Sequence, residues 1–274
     1  MQNYYLKLII FVLLSAYQFH IYAEPANEKY KTYKGDIIFF EISKKEYELG
    51  YKLNNISLLV LKKENKHYLV YGVPYHTAVG KHEILVKNTL SNKKFKFTVL
   101  EKDFNKQFIR IKKKYTSPSD EQIIRISKEK NIIGKYRNLW TNNKPDIKFI
   151  KPADGVVTGV FGTRRFYNGI EGNYHNGYDI AGRETDYVLA PSHGEVILVG
   201  DFFYNGKFVY INHGSGLKSI FLHLSKIHVK QGDTVSKGHV IGQIGSTGAS
   251  TGPHLHWSVT LNQTYVNPEL FLHY

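Results

Sequence analysis

Close to the C-terminal end, GPHLHW (252–257) sets His254 and His256 on either side of Leu255. Read as a β-strand, the stretch turns His254, His256 and Ser258 to one face and Leu255, Trp257 and Val259 to the other. One face then belongs to a core, and the other carries two imidazoles, groups that ligate metals and move protons near neutral pH. Upstream, YHNGYDIAG holds His175 and Asp179 four residues apart around Gly177. The two side chains fall on one face of a strand or converge across a tight turn. Imidazole and carboxylate suit a first-row divalent metal, and two His with one Asp leave a tetrahedral zinc with its fourth position open, the mark of a catalytic site. His223, in SIFLHLS after an apolar run, is a further candidate. Spacing alone does not divide these histidines into ligands and bases.

The elements that must hold them read as follows. Between about residues 31 and 115 apolar and polar residues alternate in short bursts, as in KFKFTVL, between turn-forming Asn, Gly and Pro, which predicts a small antiparallel sheet domain. SPSDEQIIRISKEKNII follows, with Ser119 and Gln122 at capping-box spacing and Ile123, Ile126 and Ile133 at helix-like intervals. A helix is predicted over 120–132, then a linker through YRNLWTNNKPDIKF. From Ile150 onward Gly is frequent and short strands follow closely (VVTGVFG, GEVILVGD, KFVYINHG, KSIFLHLS, HVIGQIG, HLHWSVTL), the pattern of an all-β unit. APSHGEVILVG and VKQGDTVSKGHVIGQIG resemble the hammerhead strands of biotinyl and lipoyl carrier domains, without a carrier's modifiable lysine at a hairpin tip. That likeness concerns fold alone. The expected fold is therefore mainly β: an all-β C-terminal domain with carrier-like hammerhead strands, preceded by a smaller β-rich domain and one helix. The expected divisions are 1–23, 24–118, 119–149 and 150–274.

HNGYD (175–179), FLHLS (221–225) and GSTGASTGPHLHW (245–257), in that order within one Gly-rich β-unit, resemble the lysostaphin-type, LytM-like zinc metallopeptidases, which cut peptide bonds in bacterial peptidoglycan. The resemblance spans about residues 150–270. It implies that His175, Asp179 and His256 bind one Zn2+, and that His254 and His223 stand beside the metal without ligating it. His254 would be the proton-handling base and His223 would orient water or stabilise the oxyanion, or the two would exchange these roles. Tyr178 departs from the small aliphatic residue usual in the family, but it lies between ligands and should face away from them. Some relatives of the fold have lost ligands and act as non-catalytic wall-binding or hydrolase-activating modules, the alternative reading. The N-terminal unit carries no specific motif. It is read as immunoglobulin-like, serving to position the enzyme, to bind wall, or to cover the metal groove.

Composition narrows the setting. With 42% hydrophobic and 22% charged residues among 274, the chain can bury a core, which excludes wholesale disorder. It has no cysteine, which excludes disulfides, thiolate ligands and a cysteine nucleophile. The first residues, MQNYYLKLIIFVLLSAYQFHIYAEP, combine Lys7, an apolar run over 8–17 and a processing site after Ala23, the pattern of a cleaved signal peptide. The run is shorter than the ~20 residues of a membrane span. Export to the periplasm is expected, or otherwise to the cell surface or medium, with no stable membrane anchor. A net charge of +14 favours polyanions, which for an exported protein means wall polymers; peptidoglycan is the expected partner, nucleic acid is not, and any regulatory protein is unidentified. His193 and His213 are read as turn residues, and Arg164 and Arg165 as surface residues, with a place along a substrate groove as their second reading.

Overall fold

The computed structural model describes residues 29–273, so the signal-peptide reading of residues 1–23 lies outside the described residues. No helix among the described residues is long and apolar enough to cross a membrane. The molecule is mainly β, as its alternating and Gly-punctuated sequence predicts.

The N-terminal unit is a seven-stranded sheet in the order Lys31–Thr32, Asn92–Val99, Gly80–Lys87, Tyr51–Leu53, Ile56–Lys63, Lys66–Gly72, Ile37–Ile42. Pairing is antiparallel except that Lys31–Thr32 runs parallel to Asn92–Val99. Inward residues such as Phe40, Leu69, Val86 and Val99 form its core. A six-residue helix, Lys44–Leu49, also appears; Ser43 and Glu46 close a capping box around it. So short an element has too few periodic positions to stand out in sequence.

The Asp120–Arg137 helix starts at the predicted capping box of Ser119 and Gln122. It continues five residues beyond the predicted end at 132, because Ile133 and Tyr136 still pack against the sheet beneath. Ile126 lies on the packed side, while Ile123 points to solvent.

The C-terminal unit is built on an eight-stranded sheet that runs Thr234–Val235, Gly194–Phe202, Gly206–Gly214, Leu217–Leu224, His254–Leu261, Tyr178–Ala181, Val157–Gly159, with Thr264–Val266 also paired to His254–Leu261. Leu255, Trp257 and Val259 are fully buried on one face of the central strand. Removing each from water stabilises the sheet by ~2 kcal/mol, and that packing fixes which residues face the other way. The two units share a core: Leu59 and Val70 of the N-terminal sheet lie in one cluster with Leu261 and Val266. The Asn262 amide clasps Gly72, accepting from its N–H at 2.7 Å and donating to its carbonyl at 3.1 Å.

His213 is not a turn residue but a buried one, at the end of the Gly206–Gly214 strand. Its Nδ1–H donates to the His193 carbonyl at 2.8 Å, and its Nε2 accepts from Ser219 Oγ at 2.9 Å. Burial pushes its pKa down to about 4. The folded value lies below the ~6.5 of an unfolded His, so the stability tied to the neutral ring is complete above that value and is lost as pH falls from 6.5 toward 4. His213→Leu should shrink the loss of urea-unfolding stability between pH 7 and pH 4.5 by about 2–3 kcal/mol relative to the unmodified chain. An unchanged pH slope would refute this.

Candidate metal centre

Sheet register brings the site together. Asp179 on Tyr178–Ala181 is the direct partner of His256 on His254–Leu261, and Leu222 on Leu217–Leu224 is the partner of His256 on its other side. His175 arrives from the turn just before Tyr178. Its backbone is fixed by Thr163, whose carbonyl accepts from the His175 N–H at 2.8 Å, and by Gly162, whose N–H donates to the His175 carbonyl at 2.8 Å. The turn can close only because Gly177 has no side chain: a Cβ there would stand 2.6 Å from both His256 Nε2 and the Trp257 carbonyl. Tyr178 is buried and packs in the core below, away from the ligands, as its position between them predicts.

Three donor atoms converge. His175 Nε2 lies 3.0 Å from Asp179 Oδ1 and 3.0 Å from His256 Nδ1, and the latter is 2.8 Å from Asp179 Oδ1. The opposite ring nitrogens fix the protons. His175 Nδ1 faces the Val160 carbonyl at 2.9 Å and must donate to it. His256 Nε2 meets Ser258 Oγ at 2.8 Å, and Ser258 passes its own proton to Asn176 Oδ1 at 3.4 Å, so His256 donates there. Each neutral ring then turns a bare lone pair inward, where a carboxylate oxygen waits. Two nitrogens and an oxygen without a proton between them repel at 3 Å, and a cation among them removes the repulsion. Donors on a tetrahedral ion at 2.0–2.1 Å stand about 3.3 Å apart, close to the observed spacing. Burial holds His256 down to about 4, which keeps it neutral at pH 7. His175, Asp179 and His256, all buried, thus form a set able to hold a metal ion.

The other two histidines stand beside these three. His254 Nδ1 donates to the Gly252 carbonyl at 2.8 Å, leaving Nε2 bare and 4.0 Å from Asp179 Oδ1. His223 donates from Nδ1 to the Thr247 carbonyl at 2.8 Å, and its ring centre is 4.9 Å from that of His254. Burial, then the neighbouring His254 and His256, push His223 down to about 3. Its backbone is left-handed, with φ of 67°, at a bulge where Leu222 and His223 together oppose Phe208. A non-Gly residue there costs of order 1–3 kcal/mol, and the bulge is what aims His223 inward off a strand that would alternate past it.

Arg165 is not a surface residue. It is half-buried, donating from Nη2 to Asp179 Oδ2 and from Nε to Gln107 Oε1 at 2.9 Å. Gln107 is not marked by sequence, and Arg165 only by its second reading along a groove, which both cavities below bear out, since an Arg-Arg pair normally reads as solvated. Arg164 keeps its exposed role, paired with Glu171. Two cavities of about 270 and 490 Å³ flank the histidines, and Ile111, Arg165, Tyr167 and His223 line both. A larger cavity, about 1350 Å³, lies instead beside Tyr47, Lys52 and Trp140 and touches none of the five residues. Converging donors mark the site, and volume does not.

Comparison with known proteins bears on this geometry. Residues 173–268 match the model of peptidase family M23. A crystal structure described as a peptidase M23 from Pseudomonas aeruginosa is 31% identical, covers 88% of this chain and 94% of its own, and superposes with a TM-score of 0.71. Peptidoglycan DD-endopeptidase ShyA of Vibrio cholerae is 42% identical over 93 residues, 34% of this chain and 22% of its own length. An uncharacterized metalloprotease of Haemophilus influenzae is 41% identical over 98 residues, 34% of this chain and 20% of its own. The chain thus spans about a fifth of the length of these curated relatives.

Gly177→Ala should weaken the binding of a divalent metal ion about 10- to 100-fold in competition with a chromophoric chelator, because the new methyl would stand on His256. Gly134→Ala, where a Cβ meets nothing within 4 Å, should leave the affinity unchanged.

Proposed function

The chain belongs to peptidase family M23, and from that premise we propose that it is an exported, zinc-dependent endopeptidase that hydrolyses peptide cross-links of bacterial peptidoglycan. The observation that carries the proposal is the convergence of the His175, Asp179 and His256 donor atoms, with His254 Nε2 4.0 Å from Asp179 Oδ1 and the His223 ring beside that of His254. Two relatives named as a metalloprotease and a peptidoglycan DD-endopeptidase support it, and the second favours a cross-link between stem peptides. The basic chain suits an anionic wall, and residues 1–23 support export to the periplasm.

His175, Asp179 and His256 would hold the zinc, which supplies a Lewis acid for the scissile carbonyl and a nucleophilic water at neutral pH. His254 is the general base. Its Nδ1–H is committed to Gly252, so Nε2 can take a proton and hand it to the leaving amine. His223, neutral and with its Nδ1–H on Thr247, presents only a lone pair to the site. It therefore orients water by accepting a hydrogen, and in this tautomer it does not donate to an oxyanion. Arg165 keeps positive charge beside Asp179 along the groove wall.

Digestion of purified peptidoglycan, followed by mass analysis of the muropeptides, should show cross-linked dimers replaced by monomers. His256→Ala should lose zinc and activity together, while His254→Ala should keep stoichiometric zinc and lose activity by 10²-fold or more. Tight zinc binding with no cleavage by the unmodified chain would instead support the non-catalytic wall-binding or hydrolase-activating module.

A further inference from the structure

The segment between the two units does more than connect them. Residues Lys106–Ile109 form a strand parallel to Arg164–Tyr167, adding a third strand to the hairpin completed by Ile170–Tyr174. Both ends of the added strand are fastened. The Arg164 N–H donates to the Asn105 carbonyl at 2.8 Å, and the Asn168 N–H donates to the Ile109 carbonyl at 2.9 Å. The Asn168 amide then brackets Ile111, at 3.0 Å to its N–H and 2.9 Å to its carbonyl. In this register Gln107 stands directly beside Arg165.

What this achieves follows from the two oxygens of Asp179. Oδ1 faces the two ligand imidazoles, and Oδ2 is taken by Arg165 Nη2. A carboxylate so divided offers one oxygen to a cation and keeps the other in a charge-assisted bond. Arginine is long, and several rotamers would place its head elsewhere. Here the Nε–H is held on Gln107 Oε1, which sets the plane of the guanidinium so that Nη2 meets Oδ2. Gly159 leaves the space, since a Cβ there would fall 2.7 Å from Asp179 Oδ2 and 2.8 Å from Arg165 Nη2.

We propose that Gln107 is a positioning residue of the metal centre: through Arg165 it holds Asp179 in the one-oxygen orientation that the cation requires. The proposal rests on the reading of His175, Asp179 and His256 as metal ligands. Gln107 and Arg165 both lie outside residues 173–268 that match the family model.

The test is Zn2+ affinity, read by competition with a chromophoric chelator on the full chain, together with the melting temperature of the metal-free protein. Gln107→Ala should weaken binding about 10-fold while the metal-free melting temperature stays within about 2 °C of the unmodified chain. Gln107→Glu, which still accepts from Arg165 Nε, should return the affinity to within about threefold. Arg165→Met should weaken binding at least as much, and Gln107→Ala added to Arg165→Met should produce no further loss. Equal affinity of Gln107→Ala and the unmodified chain would overturn the proposal. So would an equal loss in the Arg165→Met background, or a loss that follows the melting temperature and is not rescued by Glu. Failure of the unmodified chain to bind one zinc would show that the metal reading itself fails, a result distinct from these.

Discussion

Lone pairs do not gather unless something holds them. At the centre of this protein two imidazole nitrogens and a carboxylate oxygen face one another at 2.8–3.0 Å, each with its proton directed elsewhere or absent. That arrangement is unfavourable by itself, and the surrounding structure is what enforces it. The Val160 carbonyl and Ser258 hydroxyl take the outer protons, register seats Asp179 against His256, and Gly177 lets the chain turn tightly enough for His175 to join them. A site already arranged for a cation does not have to spend binding free energy on ordering its ligands.

The rigidity comes from the far side of the sheet and from the neighbouring unit. Leu255, Trp257 and Val259 lock the central strand from below, so the alternating residues above have one orientation. Tyr75 of the N-terminal unit stacks on Tyr174, with ring centres 3.7 Å apart, and donates to the Gly162 carbonyl at 3.1 Å. Tyr174 immediately precedes His175, so an aromatic pair between units buttresses the loop that delivers a ligand. Shared burial of Leu59 and Val70 with Val266 extends the same support.

Much of this was legible in the sequence because it rests on short-range pattern. The alternation through GPHLHWSV, the four-residue spacing of His175 and Asp179, and the capping box at Ser119 are all local, and local geometry follows from local sequence. The features that escaped depend on partners far apart in the chain. Arg165 reads as solvated until Gln107 and Asp179, 58 residues before it and 14 after it, arrive on either side. His223 stands out in the sequence as a candidate, but the bulge that turns it does not, since no local signal announces a bulge that needs Phe208 opposite. His213 reads as a turn residue because the strand it ends is buried on both sides only in the folded sheet. The helix outlasts its predicted end for a related reason, the sheet beneath it still offering a surface to Ile133 and Tyr136.

The parallel strand at 106–109 has one more consequence. Ile109 and Ile111 form part of the cleft wall facing His254, although they belong to a connecting segment rather than to the sheet that bears the histidines. The width and chemistry of the cleft are therefore written in a stretch of chain that carries none of the reacting groups. Such a division lets substitutions at Ile109 and Ile111 reshape the cleft over generations, while the histidine cluster and the Gln107–Arg165 contact beside it are left untouched.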